Sequence, residues 1–375
     1  MALNIKADEQ TFLDVLEQLV RAESPTGDLA ALASLAELLD GLLSSRGWQV
    51  SRHSRDGAGD HLEARLDGGD GESTLLLCHY DTVWPVGTLA DMPLKREDGR
   101  LYGPGVLDMK AGIAAAICAP QAVAAAGLQL RGPVTLLLTS DEETGSLTSR
   151  ELIEETAKRH DRVFVLEPAR DDGALKTGRK GVGDYTITFS GVSSHAGNSP
   201  ELGASALREL AHFLLFAESL SEDSKGTTVN VTTAQGGSAR NVIAEKAVAG
   251  IDFRTLLITE AERIDDSLRS YRPRDSRVSV RVDGGLNRPP LEDSEANRKL
   301  FAEALAAGQR LGQELSGAVV GGGSDGNFTS AIGIPTLDGL GGIGAGPHAR
   351  HEHISIEPTL ERVRLLAALL AELPD

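Results

Sequence analysis

The chain has 375 residues, is 41% hydrophobic and 25% charged, and carries a formal net charge of -18 at pH 7. That length exceeds what one hydrophobic core usually organises, so about two domains are expected, and the composition is that of a folded globular protein. The excess of acid argues against nucleic acid and anionic membrane surfaces as partners, because both require clustered Lys and Arg.

Cys78 and Cys118 lie in apolar segments and lack the spacing of a disulfide framework or a thiolate zinc site, so buried thiols are expected. The opening MALNIKADEQTFLDVLEQLV has no charged segment followed by an apolar one. The longest apolar stretch, 111–127, is broken by Pro120 and falls short of the roughly 20 residues a membrane span needs. A cytoplasmic protein is expected.

In chain order, Phe12, Val15, Leu16, Leu19 and Val20 recur at helical spacing, and a second helical run covers 29–43. Short apolar runs at 75–78, 134–138 and 163–166 then alternate with helical patterns at 111–126 and 152–159, which predicts an α/β domain with a largely parallel sheet. From about Gly181 the pattern changes: strands at 185–189, 227–233, 247–253 and 277–282 are interleaved with helices at 202–220 and 260–271. The order β-α-β-β-α-β is that of a two-layer ferredoxin-like domain. After Pro289 and Pro290 a helix at 297–311, a Gly-rich stretch at 321–346 and a final helix at 358–370 return to the first style. The first domain is therefore expected to be discontinuous, 1–179 with 290–375, around an inserted domain at 180–289.

Three apolar strands end in candidate metal ligands: LLLC runs into His79-Tyr80-Asp81, VTLLLTS into Asp141-Glu142-Glu143, and VFVL into Glu167. Ligands gather outside the carboxyl ends of strands in an open parallel sheet. One such cluster alone is more often a solvated loop charge; three of the same polarity, with Asp108 in LYGPGVLDMKAG and His348 in GAGPHARHEH, point to a metal. Imidazole with carboxylate suits zinc, and also cobalt or manganese. There are more carboxylates than one tetrahedral ion can use, which favours two ions bridged by a carboxylate and a water. Gly103-Pro104-Gly105 and Gly321-Gly322-Gly323 lack the spacing and Lys of phosphate-binding loops.

The ordered motifs HYDTV, GPGVLDMKAG, DEETGS, EP, SHAG, GGGSDGNF and GPHARHE cover nearly the whole chain. In these the sequence resembles the zinc-dependent amidohydrolase and exopeptidase family of glutamate carboxypeptidase, acetylornithine deacetylase, succinyl-diaminopimelate desuccinylase and aminoacylase. The resemblance implies that His79 and Glu167 hold one zinc and Glu143 and His348 the other, that Asp108 bridges them, and that Asp81 orients His79. His348 is selected over His351 and His353 because the family places the ligand four residues before a Glu, here Glu352. Two cations would lower the pKa of a shared water towards about 7, and Glu142 would act as general base and then return the proton to the leaving amine. No acyl-enzyme is needed, so Ser324 is not expected to be a nucleophile.

By the same resemblance, His195 reaches a neighbouring subunit's active site and stabilises an oxyanion, while Asn241, Arg254 and Arg288 match positions that grip a substrate carboxylate. For Arg254 a structural ion pair is nearly as good a reading. Gly323 belongs to a Gly-rich segment that brings backbone close to the substrate. The inserted domain implies a homodimer, because a ferredoxin-like sheet has edges that can pair.

The expected substrate is a small N-acyl or peptidyl amino acid. HYDTVWPVG, GALKTGRKG, SHAGNSPELGASAL and IGIPTLDGLG resemble the glutamate carboxypeptidase branch, so hydrolysis of an amide to a free amino acid is the leading function. The alternative is an N-acyl-amino-acid deacylase of acetylornithine or acyl-lysine type; a non-catalytic binding relative is a third reading, against which every expected ligand and the base are present.

Overall fold

The computed structural model describes residues 3–373 and divides into two compact units. The first is built from the chain up to Gly178, from Asp293–Val320 and from Ser324 onward; the second from Arg179–Glu292 with Gly321–Gly323.

In the first unit the helix Glu9–Arg21 is started by Asp8, whose side chain accepts from the Thr11 amide at 2.7 Å, and Leu29–Ser44 is started by Asp28 in the same way. Both bury the apolar stripe that their periodicity announces. A six-stranded sheet runs in the spatial order Gln49–His53, His61–Leu66, Val134–Thr139, Thr74–His79, Arg162–Val165, Thr336–Leu337. Its last four strands are parallel, and the first two join antiparallel at one edge.

Every residue of Thr74–His79 and Val134–Thr139 is buried, as expected of strands covered on both faces. Successive side chains nonetheless separate into two cores. Leu76, Cys78, Leu136, Leu138 and Phe164 join the helices Ala111–Ala125 and Ile356–Leu370 on one face, while Leu75, Leu77, Leu137, Val163 and Val165 meet Ile153, Ala157 and Phe328 on the other. The apolar helical stretch Val106–Ala125 has the 20 residues of a membrane span, but 83% of its most apolar window is buried inside the protein, as in a core helix.

The second unit is a four-stranded antiparallel sheet in the order Thr228–Gly236, Lys246–Thr255, Gly181–Ser190, Ser279–Arg288. Tyr185, Ile187, Phe189, Ala249, Ile251 and Phe253 alternate towards Phe213 of the helix Ala206–Glu218 and Ile264 and Leu268 of the helix Ile258–Ser270.

Several boundaries differ from expectation. The helix expected from Leu202 begins at Ala206, because Ser205 caps it by accepting from the Arg208 amide. The strand expected at 277–282 runs on to Arg288, and the sequence pattern marks neither the edge strand Gln49–His53 nor its neighbour His61–Leu66. The Gly-rich stretch contains a helix, Gly326–Ala331, and short strands at Thr336–Leu337 and Gly344–Ala345. Gly344–Ala345 joins His353–Ser355, Arg100–Tyr102 and Lys95–Glu97 in a small antiparallel sheet.

Candidate metal centre

Parallel strand polarity carries His79, Ser140 to Glu143, and Leu166-Glu167 to the same end of the first unit. His79 is the last residue of its strand and is 2% exposed. Its Nδ1 lies 3.0 Å from the Asp81 carbonyl oxygen and 3.4 Å from Asp81 Oδ1, which turns Nε2 towards Asp108 Oδ1 at 3.2 Å and Glu167 Oε1 at 3.3 Å.

The two oxygens of Asp108 face different histidines. Oδ1 meets His79, and Oδ2 lies 3.3 Å from His348 Nε2, which is also 3.3 Å from Glu143 Oε2. One carboxylate thus stands between two imidazoles, each accompanied by a glutamate. His79, Asp108 and Glu143 offer donor atoms within 4.8 Å of one another, and so do His79, Glu142 and Glu167. Glu142 is therefore beside the cluster.

The electrostatics follow from burial among acids. Burial opposes charge on His79, but Asp108, Asp81 and Glu167 outweigh it and hold the imidazole well above its ordinary pKa. The carboxylates of Asp108 and Glu143 push His348 up to about 10. Burial would raise Asp108, yet His348 and His79 hold it well below the usual carboxylate range, whereas burial prevails at Glu143 and raises it. Among the described residues Glu143 Oε1, which is buried, has no hydrogen-bond partner, a costly arrangement that a cation would relieve. Histidine nitrogens, carboxylates and an orphaned carboxylate oxygen form a donor set that fits zinc.

The supporting residues are as specific as the donors. Asp81 is fully buried and accepts from the Glu142 and Glu143 amides at 3.2 Å each and from Thr26 Oγ1 at 2.7 Å. Asp81 therefore orients the histidine through its carbonyl and its carboxylate, and its side chain anchors both glutamates' backbone. Glu352, used in the sequence only to choose among histidines, does more. Its Oε1 accepts from the Leu107 and Asp108 amides at 2.9 and 3.1 Å, and its Oε2 from Gly105 N at 2.9 Å and Trp84 Nε1 at 2.8 Å. No motif signals that role; the small sheet, which places His353–Ser355 beside Arg100–Tyr102, creates it. Gly112 is equally constrained, since a Cβ there would stand 2.0 Å from the Leu166 carbonyl oxygen, next to Glu167.

His351 is exposed, and His353 is buried with Nδ1 against the His351 carbonyl at 2.9 Å and its ring 5.0 Å from that of Tyr102. Neither joins the cluster.

The remaining sequence candidates lie on the second unit. His195 is exposed, and its Nδ1 accepts from the Gly197 and Asn198 amides at 3.1 and 3.0 Å, which in the neutral ring leaves Nε2 as an N–H donor. Ala196 N donates to the Asn241 carbonyl at 2.8 Å, so the His195 and Asn241 segments run side by side. Arg254 is engaged with Asp252, Nη2 to Oδ2 at 2.8 Å, as the ion-pair reading expects. Arg288 is 5% exposed, and its Cδ would stand 2.9 Å from a Cβ at Gly323, so the glycine makes room for the arginine.

Residues 75–372 match peptidase family M20/M25/M40. Carboxypeptidase G2 of Pseudomonas sp. strain RS-16 is 32% identical over 380 residues, covering 98% of this chain and 90% of its own length. Succinyl-diaminopimelate desuccinylase of Leptothrix cholodnii is 30% identical, covering 92% of this chain and 94% of its own. Among solved structures, aminopeptidase PepT from Bacillus cereus superposes with a TM-score of 0.85 at 21% identity over 97% of this chain and 98% of its own. That likeness speaks to the fold.

Proposed function

Because the chain belongs to peptidase family M20/M25/M40, we propose that it is a two-zinc hydrolase that cleaves the amide joining an acyl or peptidyl group to a free amino acid, in the manner of a glutamate carboxypeptidase. Metal-dependent amide hydrolysis is the chemistry of the family's relatives, and the observation that carries the finer reading is the placing of one Asp108 oxygen on each of two histidines. His79 and Glu167 would hold one ion, His348 and Glu143 the other, with Asp108 shared; cobalt or manganese suits the same donors.

Bound zinc would polarise the scissile carbonyl and acidify water. The rest falls to the chain's own residues. Glu142 takes a proton from the attacking water and delivers it to the leaving amine. Asp81 keeps His79 Nε2 aimed at Asp108 and fixes the turn bearing Glu142. His195 Nε2–H donates to the developing oxyanion, Asn241, Arg254 and Arg288 hold the substrate carboxylate, and the Gly323 backbone approaches the substrate. Arg254 would share its guanidinium between substrate and Asp252.

We further propose a homodimer formed through the second unit, with His195 acting on the partner's substrate. Mixing inactive Glu142→Ala protein with inactive His195→Ala protein then restores part of the activity through hybrid dimers; no restoration under subunit-exchange conditions refutes action in trans.

The alternative deacylase reading is favoured by the 30% identity to a desuccinylase and uses the same site. The deciding assay follows release of free amine from N-aroyl glutamates, dipeptides and N-acyl amino acids with zinc or cobalt added. Cleavage of the N-aroyl glutamates and dipeptides supports the carboxypeptidase reading, and cleavage of N-acyl amino acids alone supports the deacylase. No cleavage by the wild type, or full activity in Glu142→Gln, overturns the assignment.

A further inference from the structure

The turn that carries Glu142 and Glu143 is tied from behind by residues that none of the chemistry above uses. His61, fully buried at the start of the strand His61–Leu66, lies under it. His61 Nδ1 accepts from the Ser140 amide at 3.3 Å, so Nε2 carries the ring proton and donates to Thr148 Oγ1 at 3.1 Å. Thr148 passes the polarity on: its hydroxyl and its amide both donate to Asp141 Oδ2, at 2.9 and 2.7 Å. Each donor and acceptor in this chain has one consistent direction, and burial lowers the pKa of His61, favouring the neutral ring that the pattern requires.

Asp141 is the residue immediately before Glu142, and it also closes the turn through its backbone, its carbonyl accepting from Ser146 N at 2.9 Å. Its other carboxylate oxygen, Oδ1, is buried with no hydrogen-bond partner among the described residues, so the anchorage of the side chain rests on Oδ2 and hence on Thr148. The same turn, which contains Gly145 at φ 97° and Ser146 at φ 58°, is also held by Asp81 at the Glu142 and Glu143 amides and by Ser146 Oγ, which donates to Asp325 Oδ1, so Asp141 is one of three carboxylates that fix it. From this geometry we propose that His61 and Thr148 are positioning residues that hold Asp141, and through it the turn presenting Glu142 and Glu143, in the geometry used for proton transfer and metal binding. The inference rests on the reading of Glu142 as base and Glu143 as ligand.

The experiment compares Thr148→Val, His61→Leu, His61→Gln and the double variant Thr148→Val/His61→Leu. Readouts are kcat and KM on the substrate found by the amine-release panel, zinc affinity of the metal-free protein by chelator competition, and thermal midpoint. Thr148→Val is nearly isosteric and removes only the hydroxyl link. It is expected to lower kcat by about 10–100-fold, with KM changed less than about threefold, and to weaken zinc by about tenfold. His61→Leu behaves alike, the double variant is no worse than the worse single one because the residues act in series, and His61→Gln, whose amide can still donate to Thr148, recovers most of kcat. Unchanged kcat and zinc affinity in folded Thr148→Val overturn the proposal, as do additive losses in the double variant or a Gln variant no better than Leu. If His61→Leu does not fold, Thr148→Val decides alone. The underlying reading fails separately: active Glu142→Gln sinks the assignment of the base, whereas inactive Glu142→Gln with fully active Thr148→Val sinks only the positioning chain.

Discussion

Replacing Glu352 by Gln perturbs the cluster without touching a donor. Glu352 is fully buried, and each of its oxygens accepts two hydrogen bonds, from Leu107 and Asp108 on one side and from Gly105 and Trp84 on the other. Glutamine keeps one acceptor pair and sets an NH2 group against the other two N–H donors. Hydrogen bonds to a charged acceptor contribute about 1.5–3 kcal/mol each, so two lost bonds amount to about 3–6 kcal/mol. Removing a charge whose burial already raises its pKa returns part of this, leaving a net loss of about 2–4 kcal/mol. Because Asp108 N is one of the four donors, the loss reaches the bridging carboxylate. Thermal unfolding of the metal-free protein should begin several degrees lower, and zinc affinity by chelator competition should fall about tenfold. A midpoint within about 1 °C of wild type together with zinc affinity within about twofold would refute the claim that Glu352 builds the Asp108 loop.

The other expectations test separate parts of the account. Asp81→Asn, which weakens the hold on both His79 and the glutamate turn, should lower zinc affinity and kcat by about 10–100-fold each, measured by competition and amine release; an unaffected enzyme would show that Asp81 orients nothing. Gly112→Ala puts a Cβ 2.0 Å from the Leu166 carbonyl oxygen, so it should cost about 1–3 kcal/mol of stability and displace Glu167; a fully stable protein with unchanged zinc affinity contradicts that. In the second unit, Arg263 and then Lys225 hold the Glu260 pKa down to about 2, from an ordinary 4.5. A depressed acid stabilises the fold above its unfolded pKa, so this contribution is complete above about pH 4.5 and disappears as pH falls towards 2. Both cations reach solvent, which limits it to about 1–2 kcal/mol. Glu260→Gln should therefore be less stable than wild type to urea at pH 7, with the gap closing below pH 4.5; a gap that widens in acid reverses the sign and the argument.

The donor set was legible because each strand-borne donor follows an apolar run, so chemistry and local structure coincide in the sequence at His79, Glu143 and Glu167. The helices at 9–21 and 29–44 were legible for the same reason, a 3.6-residue period with an Asp cap. His61–Leu66 was not: four of its six residues are buried in succession, Glu63 among them, so no alternation marks it. That omission also hid His61, which reads as a lone histidine until the antiparallel strand carries it beneath Ser140 and Thr148. Glu352 and Asp81 were visible as acids, but the number of amides each gathers depends on contacts across the chain, from Gly105 to Glu352 and from Asp81 to Glu143, that no local pattern encodes. Family resemblance, not local pattern, selects His348 over His351 and His353; of the three, only His348 stands against Asp108 and Glu143.

The central claim is that Asp108 joins two metal positions, one with His79 and one with His348. The direct measurement is the number of zinc ions bound per chain in wild type, His348→Ala and Asp108→Ala after equilibrium dialysis against low zinc. The account predicts about two, about one, and a loss at both positions, since the bridging carboxylate serves each ion. One ion in the wild type, or an Asp108→Ala protein that still binds two, would contradict it.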